Sequence, residues 1–205
     1  VPHVQSQLNG KDIPSVTEIL GIINPKWKEF WWRKVGFAAA DKISRESAEL
    51  GRNVHEMIDT VISGRPRKEG TPQEENLFRV WLKWFIASKA NVIAAELLVI
   101  SKKKKYSGTL DAVISLNGKE YLTDWKISKA DDKMRVLQLA GYAYAYKEQT
   151  GTQINDGLIV RVDPVKKTVS ELVYPNLWKR TKDFLKIKAA YDVVQKTNKG
   201  KKQKD

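Results

Sequence analysis

The chain of 205 residues contains no cysteine. Disulfides, iron–sulfur clusters and thiolate zinc sites are thereby excluded, any metal must be held by oxygen or imidazole, and an intracellular setting is the simpler expectation. Imidazole is scarce too, His3 and His55 being the two histidines. No run of eighteen apolar residues occurs, and the opening stretch VPHVQSQLNGKD has neither a signal-peptide core nor the Arg-rich character of a transit peptide. The expectation is a soluble protein with no membrane partner, cytoplasmic in a bacterium or phage. Because the first residue is not Met, organellar import stays open. A Walker-type phosphate loop is missing, which argues against use of ATP, and no internal repeat is found.

Acid is also in deficit. Lys and Arg number 37 against 24 Asp and Glu, a net charge of +13, the footprint of a protein that meets a polyanion, nucleic acid before others. The lysines cluster at 102–105 and in the tail KTNKGKKQKD, 196–205. Such a tail reads equally as a phosphate contact and as a solvated, flexible end. At 41% hydrophobic the chain can bury the core of one substantial domain, expected over 12–195.

Periodicity divides that domain. SVTE at 15–18 has the form of a capping box and predicts a helix start, followed by a Trp-rich helix. Leu50, Val54, Met57, Ile58 and Val61 recur at helical spacing within 41–63. Thr71 before Pro72 opens a further helix with Leu77, Val80, Trp81, Trp84 and Phe85 on one face. The period then changes to that of strands over 92–101, 108–116 and 119–127, the last two joined by Asn117-Gly118, the strongest short hairpin signal. Helix returns over 132–149, strands over 157–163 and 167–174, and a last helix runs from beyond Pro175 to about Lys196.

Within the predicted hairpin, alternation puts Asp124 and Lys126 on one face, and the turn folds the strand of Asp111 back against them. Two acids converging on a sheet repel and lose hydration, so they need a cation to stay charged. A divalent metal on hard oxygen ligands, Asp111, Asp124 and a backbone carbonyl such as that of Trp125, satisfies both. Lys126 beside it can hold a water for attack and offset charge gathering on a phosphate.

GTLD (108–111) and DWKIS (124–128), with His55 in GRNVHEMID and Gln138 and Tyr142 in QLAGY, resemble the PD-(D/E)XK nuclease superfamily in its RecB-type branch. PSVTEIL (14–20) and GLIV (157–160) extend the likeness towards the mitochondrial genome-maintenance exonucleases, so that it covers 14–163. The resemblance implies an α/β, restriction-endonuclease-like fold with a mixed central sheet flanked by helices and an N-terminal helical part. It implies hydrolysis of DNA with Mg²⁺ or Mn²⁺, exonucleolytic on single strands with free ends, in replication, recombination or repair. Without a motor of its own, the chain would leave unwinding to a helicase or another replication or repair protein. The lack of cysteine departs from those relatives that carry an iron–sulfur cluster. A structure-specific or sequence-specific endonuclease on the same fold, and a non-catalytic nucleic-acid-binding module, are the rival readings.

By the same resemblance His55 is a metal ligand and Gln138 and Tyr142, one helical turn apart, line the site and orient substrate. On spacing alone His55 shares a stripe with Gly51, Ile58 and Ile62 and reads as a core residue, Gly51 allowing close approach of helix to sheet. Glu96 is either a carboxylate near the metal or a surface glutamate on an edge strand. Tyr146 continues the Tyr142 stripe and reads as packing. Ser128, at the end of DWKIS, is a phosphate contact or a turn cap. Trp31, near Trp27 and Phe30 and among Lys26, Lys28, Arg33 and Lys34, suits base stacking, although helical spacing assigns at least two of these rings to a core. Lys102, Lys103, Lys104 and Lys105 abut GTLD and are placed at the DNA entrance.

Overall fold

The computed structural model describes residues 6–8, 10–23, 36–128 and 134–202. In chain order these form a small hairpin, β1 (Gln7–Leu8) and β2 (Lys11–Asp12), a short helix α1 (Val16–Leu20), and two long helices α2 (Phe37–Ile62) and α3 (Pro72–Ser88). Three strands follow, β3 (Asn91–Ser101), β4 (Tyr106–Leu116) and β5 (Lys119–Ile127), then α4 (Arg135–Thr150), β6 (Asp156–Asp163), β7 (Thr168–Tyr174) and α5 (Leu177–Lys202). The stretch expected to form a Trp-rich helix, Trp31 included, lies outside the described residues, as do 203–205. The last helix runs to Lys202 rather than stopping near Lys196.

Local signals account for most boundaries. Asn117 and Gly118 both take positive φ, 53° and 76°, as a two-residue hairpin turn requires. Thr71 accepts from the Glu74 amide and the Glu74 carboxylate accepts from the Thr71 amide, a closed capping box with Pro72 in the first turn. Ser15 caps α1 by accepting from the Glu18 amide.

The main sheet has the order β3-β4-β5-β6-β7, antiparallel except for the parallel pair β5–β6. It is the α/β architecture expected, a mixed sheet between helical layers. On one face Val54, Met57 and Ile58 of α2 and Leu77, Phe78 and Trp81 of α3 bury against Ala112, Ile114, Trp125, Leu158 and Val160. On the other, α1, α4 and α5 cover Val113, Leu122 and Ile159 with Val16, Ile19, Leu139, Ala143 and Phe184. Val61, on the predicted stripe of α2, stays at the surface.

The sheet is not continuous. β4 and β5 pair from Leu116↔Lys119 to Ala112↔Thr123 and then part. Beyond that point β4 stays with β3 as far as Tyr106, while β5 stays with β6 as far as Ile127. Into the fork steps the segment before α1: the Ser107 amide donates to Pro14 O at 3.0 Å and Ser15 bridges Ser107 in parallel. Because β3 occupies one edge of β4, this segment takes the edge that β5 has left.

Two glycines reveal opposite constraints. A Cβ on Gly108 would stand 2.4 Å from Cε1 of the buried Tyr142 ring, so glycine lets α4 lie against β4. At Gly51 a Cβ would meet nothing within 4 Å, which overturns the expectation that Gly51 permits close helix-to-sheet approach. Gly108→Ala is therefore expected to lower unfolding free energy by about 1–3 kcal/mol through overpacking. Gly51→Ala should raise it by about 0.5–1 kcal/mol through helix propensity. Urea titrations of the two variants check the pair, and equal signs would contradict this packing.

Candidate active site

The fork positions the acids. Asp111 is the first residue of β4 past its last pairing with β5, and Asp124 the first of β5. With its carbonyl partner gone, the Trp125 amide donates to Asp111 Oδ2 at 2.8 Å. A carboxylate thus replaces a rung of the ladder, while the Trp125 indole is buried edge-on against Trp81 on the α2/α3 side. Lys126, two residues along and on the same face as Asp124, brings its Nζ to 2.7 Å from Asp124 Oδ1. This is a charge contact with poor directionality, because neither Asp124 oxygen accepts a well-formed hydrogen bond among the described residues.

The opening admits side chains from both layers. From α2, His55 places Nε2 2.8 Å from Asp111 Oδ2 and Nδ1 2.6 Å from Asp59 Oδ2. From β3, Glu96 sits opposite Asp111, between the pairs Ala95↔Ala112 and Leu97↔Leu110. Its φ is +49°, a conformation that non-glycine residues in strands rarely adopt and that clusters at functional sites. His55, Asp59 and Glu96 each offer a ligand atom within 4.8 Å of the others. From α4, Gln138 Nε2 donates to Tyr142 OH at 2.9 Å, both residues buried. Together His55, Asp59, Glu96, Asp111 and Tyr142 line a pocket of about 240 Å³ floored by Gly108 and walled by Ser15–Thr17.

Of the residues singled out from sequence, His55, Glu96, Asp111 and Tyr142 share this pocket; Asp124, Lys126 and Gln138 stand behind it through the contacts just given. Lys103, Lys104 and Lys105 do not reach it and line a separate cleft, with Lys102 in the same turn. Ser128 directly follows β5, its amide donating to Val162 O. Tyr146 packs against the α4 side of the core. Asp59 was missed, although its signal was present: four residues after His55 puts it on the same helical face.

The electrostatics follow from burial. It pulls the His55 imidazolium down, but the charges and hydrogen bonds of Asp111 and Asp59 outweigh it and hold His55 well above the usual imidazole range. Burial lifts Asp111, yet His55, Lys126 and the Trp125 amide leave it below its ordinary value. Asp124 is raised, because burial and the Asp111 charge outweigh Lys126. Glu96 is raised to about 7 by burial and by Asp59.

The donor set suits a divalent cation. Carboxylate oxygens and one imidazole are the ligands that Mg²⁺ and Mn²⁺ accept. Asp59 Oδ1 and both oxygens of Asp124 are buried without a hydrogen-bond donor among the described residues, and buried acceptors of that kind call for a partner.

No family model matches the chain, and neither does any curated protein. Solved structures do. A candidate exonuclease from Eubacterium rectale is 12% identical over 93% of this chain and 70% of its own, with a TM-score of 0.48. SSO0001 is 15% identical over 89% and 79%, at 0.45. The alkaline exonuclease LHK-Exo of Laribacter hongkongensis, in complex with dAMP, is 12% identical over 92% and 94%, at 0.35. Likenesses this remote carry no functional argument, which rests on the chain's own residues.

The shifts predict how stability responds to pH. His55, Glu96 and Asp124 have folded pKa values above their unfolded ones, so each contributes stability that is complete below its unfolded pKa and is lost as pH rises through the folded value. Metal-free protein should therefore lose thermal stability between about pH 5 and pH 8, spanning the unfolded carboxyl range and the raised Glu96. The depressed Asp111 acts only below this window. Added Mn²⁺ should restore the loss at the upper end, where it competes with fewer protons. Thermal melts across the window with and without Mn²⁺ check this; a flat or rising metal-free profile would count against the protonation pattern.

Proposed function

We propose that the protein is a metal-dependent DNA nuclease, with Asp111, Asp124 and His55 holding Mg²⁺ or Mn²⁺ and Glu96 beside them. The observation that carries the proposal is the meeting at the sheet fork of buried Asp124 and its half-buried partner Lys126 with Asp111, His55, Asp59 and Glu96. A cation there would supply Lewis-acid polarisation of the scissile phosphate and of the attacking water. Lys126 holds that water and offsets the negative charge that grows on phosphorus oxygens as the new P–O bond forms and the bond to the leaving sugar oxygen breaks. Asp59 fixes the His55 ring through Nδ1, so that Nε2 faces Asp111. Gln138 orients the Tyr142 hydroxyl towards substrate. The small volume of the pocket, about 240 Å³, supports a single strand as the substrate.

Two further features support the reading. The net charge of +13 suits a polyanion, and the resemblance of GTLD, DWKIS and QLAGY to RecB-type nucleases, the mitochondrial genome-maintenance exonucleases among them, favours single-stranded DNA with a free end. Ser128 and, in the stretch outside the described residues, Trp31 are proposed as further DNA contacts. Among the described residues no helix is long and apolar enough to cross a membrane.

Asp124→Asn and Lys126→Ala are each expected to lower cleavage of end-labelled single-stranded DNA in Mg²⁺ by about a hundredfold or more, as loss of electrostatic groups at reaction centres does. DNA binding should survive. Near-native turnover of either variant would refute the assignment. Linear strands should be degraded and closed single-stranded circles left intact; cutting of circles would transfer the protein to the endonucleases. Retention of DNA with no cutting in any divalent metal would leave a binding module.

A further inference from the structure

Next along the chain from Ser15 and Val16 of the acidic pocket, Ile13 and Pro14 line a second cleft of about 700 Å³, bounded by the β1–β2 hairpin, the turn between β3 and β4, and α5. Six lysines line it, Lys11, Lys103, Lys104, Lys105, Lys188 and Lys196, against two aspartates, Asp12 and Asp192. Both acids are engaged. Asp192 takes Lys188 Nζ on both oxygens, at 2.7 and 2.6 Å, and Asp12 accepts from Gln7 Nε2 at 3.0 Å.

The turn that carries three of the lysines is built, not merely solvated. Glu148 of α4 accepts from Ser101 Oγ at 2.7 Å with one oxygen and from the Lys103 amide at 2.9 Å with the other, and the Lys104 amide donates back to Ser101 Oγ at 3.1 Å. Lys105 holds the left-handed conformation, φ 55°, that returns the chain into β4. Glu148 thus binds the backbone of the turn, and among the described residues no acid pairs with the ammonium groups of Lys103, Lys104 and Lys105. A charge run serving solubility alone needs no such scaffold.

We infer that this cleft is a second binding site, for the phosphodiester backbone of a single nucleic-acid strand that continues from the acidic pocket. The linkage is geometric. Lys105, the last residue of the β3–β4 turn, precedes Asp111 of β4 by six residues, about 20 Å at 3.3 Å per residue, or about six stacked nucleotides at 3.4 Å each. The volume falls in the range that encloses a small ligand, about 300–1,000 Å³, enough for one or two nucleotides at a time. No aromatic ring lines it among the described residues, so it offers no base-stacking platform and holds phosphates without regard to sequence. The inference depends on the nuclease reading for the strand's other end; its test does not.

Fluorescence anisotropy of labelled oligo(dT) in EDTA, over a salt series, measures binding without cleavage. For single strands each phosphate contact contributes about 0.7 log units of affinity per decade of salt. Lys103→Gln with Lys104→Gln should therefore reduce the slope by about 1.4 log units per decade for a twenty-nucleotide strand. The same pair should abolish the gain in affinity that wild-type protein shows as the oligonucleotide grows past about six nucleotides. The charge-matched control is Lys83→Gln with Lys166→Gln, exposed lysines on α3 and the β6–β7 turn, which should leave slope and length dependence as in wild type. An equal drop in the control would reduce the effect to net charge and overturn the cleft. So would an unchanged slope in the Lys103/Lys104 pair. Displacement of the DNA by poly-glutamate at equal charge concentration would assign the cleft to an acidic protein partner instead. If these results hold while the wild-type protein cuts nothing in Mg²⁺ or Mn²⁺, the nuclease reading fails and the cleft stands; cutting with an unchanged slope is the reverse.

Discussion

The hydrogen bond from the Trp125 amide to the Asp111 carboxylate closes the point at which one sheet becomes two arms. A strand leaving its partner exposes donors and acceptors that must be met elsewhere. Here a side chain meets the donor, and the Ile13–Val16 segment meets the edge further along, at Ser107. The separation makes room in the middle of a sheet for charged groups that a continuous ladder, closed over by helices, would exclude. Residues of α2 and α4, which belong to opposite layers, consequently reach one pocket.

Much of the fold can be read from local chemistry. Asn117-Gly118, Thr71-Pro72 and the alternation of Asp124 with Lys126 each carry their own physical reason, and each corresponds to an observed element. The fork does not, because nothing in the residues of β4 or β5 says where two strands stop pairing; that is settled by what packs against them. Glu96 illustrates the same limit. Its place on a strand was legible, its left-handed backbone opposite Asp111 was not. Gly51 was misread for the opposite reason: a glycine in a helix invites a packing explanation, and here there is no neighbour to pack. Gly108, which opens the GTLD motif, is one of the glycines with a close contact, its absent Cβ position standing 2.4 Å from the Tyr142 ring.

The site also shows how burial and charge divide labour among like groups. Asp111 and Asp124 lie next to one another, yet one is held below and the other above the ordinary carboxyl range. The difference is in their donors: Asp111 has an imidazolium and an amide, while Asp124 has the Lys126 ammonium beside it and no well-formed hydrogen bond among the described residues. An acid left so incompletely satisfied at 1% exposure is costly for a protein that has no use for it.

The fork orders events in time as well as in space. The arm bearing Asp111 is a hairpin, β3 returning through a four-residue turn to β4, a local contact that a chain can make early. The arm bearing Asp124 takes its second partner, β6, only after the chain has crossed the whole of α4. Parallel pairings of that kind wait on loop closure and form late. The Asn117-Gly118 hairpin brings the two acids near one another early, whereas the arm of β5 beyond Thr123 gains its remaining partner only when the α4 crossover docks. A chain still emerging from the ribosome short of β6 carries every residue of the acidic pocket, but lacks the partner that holds β5 in place.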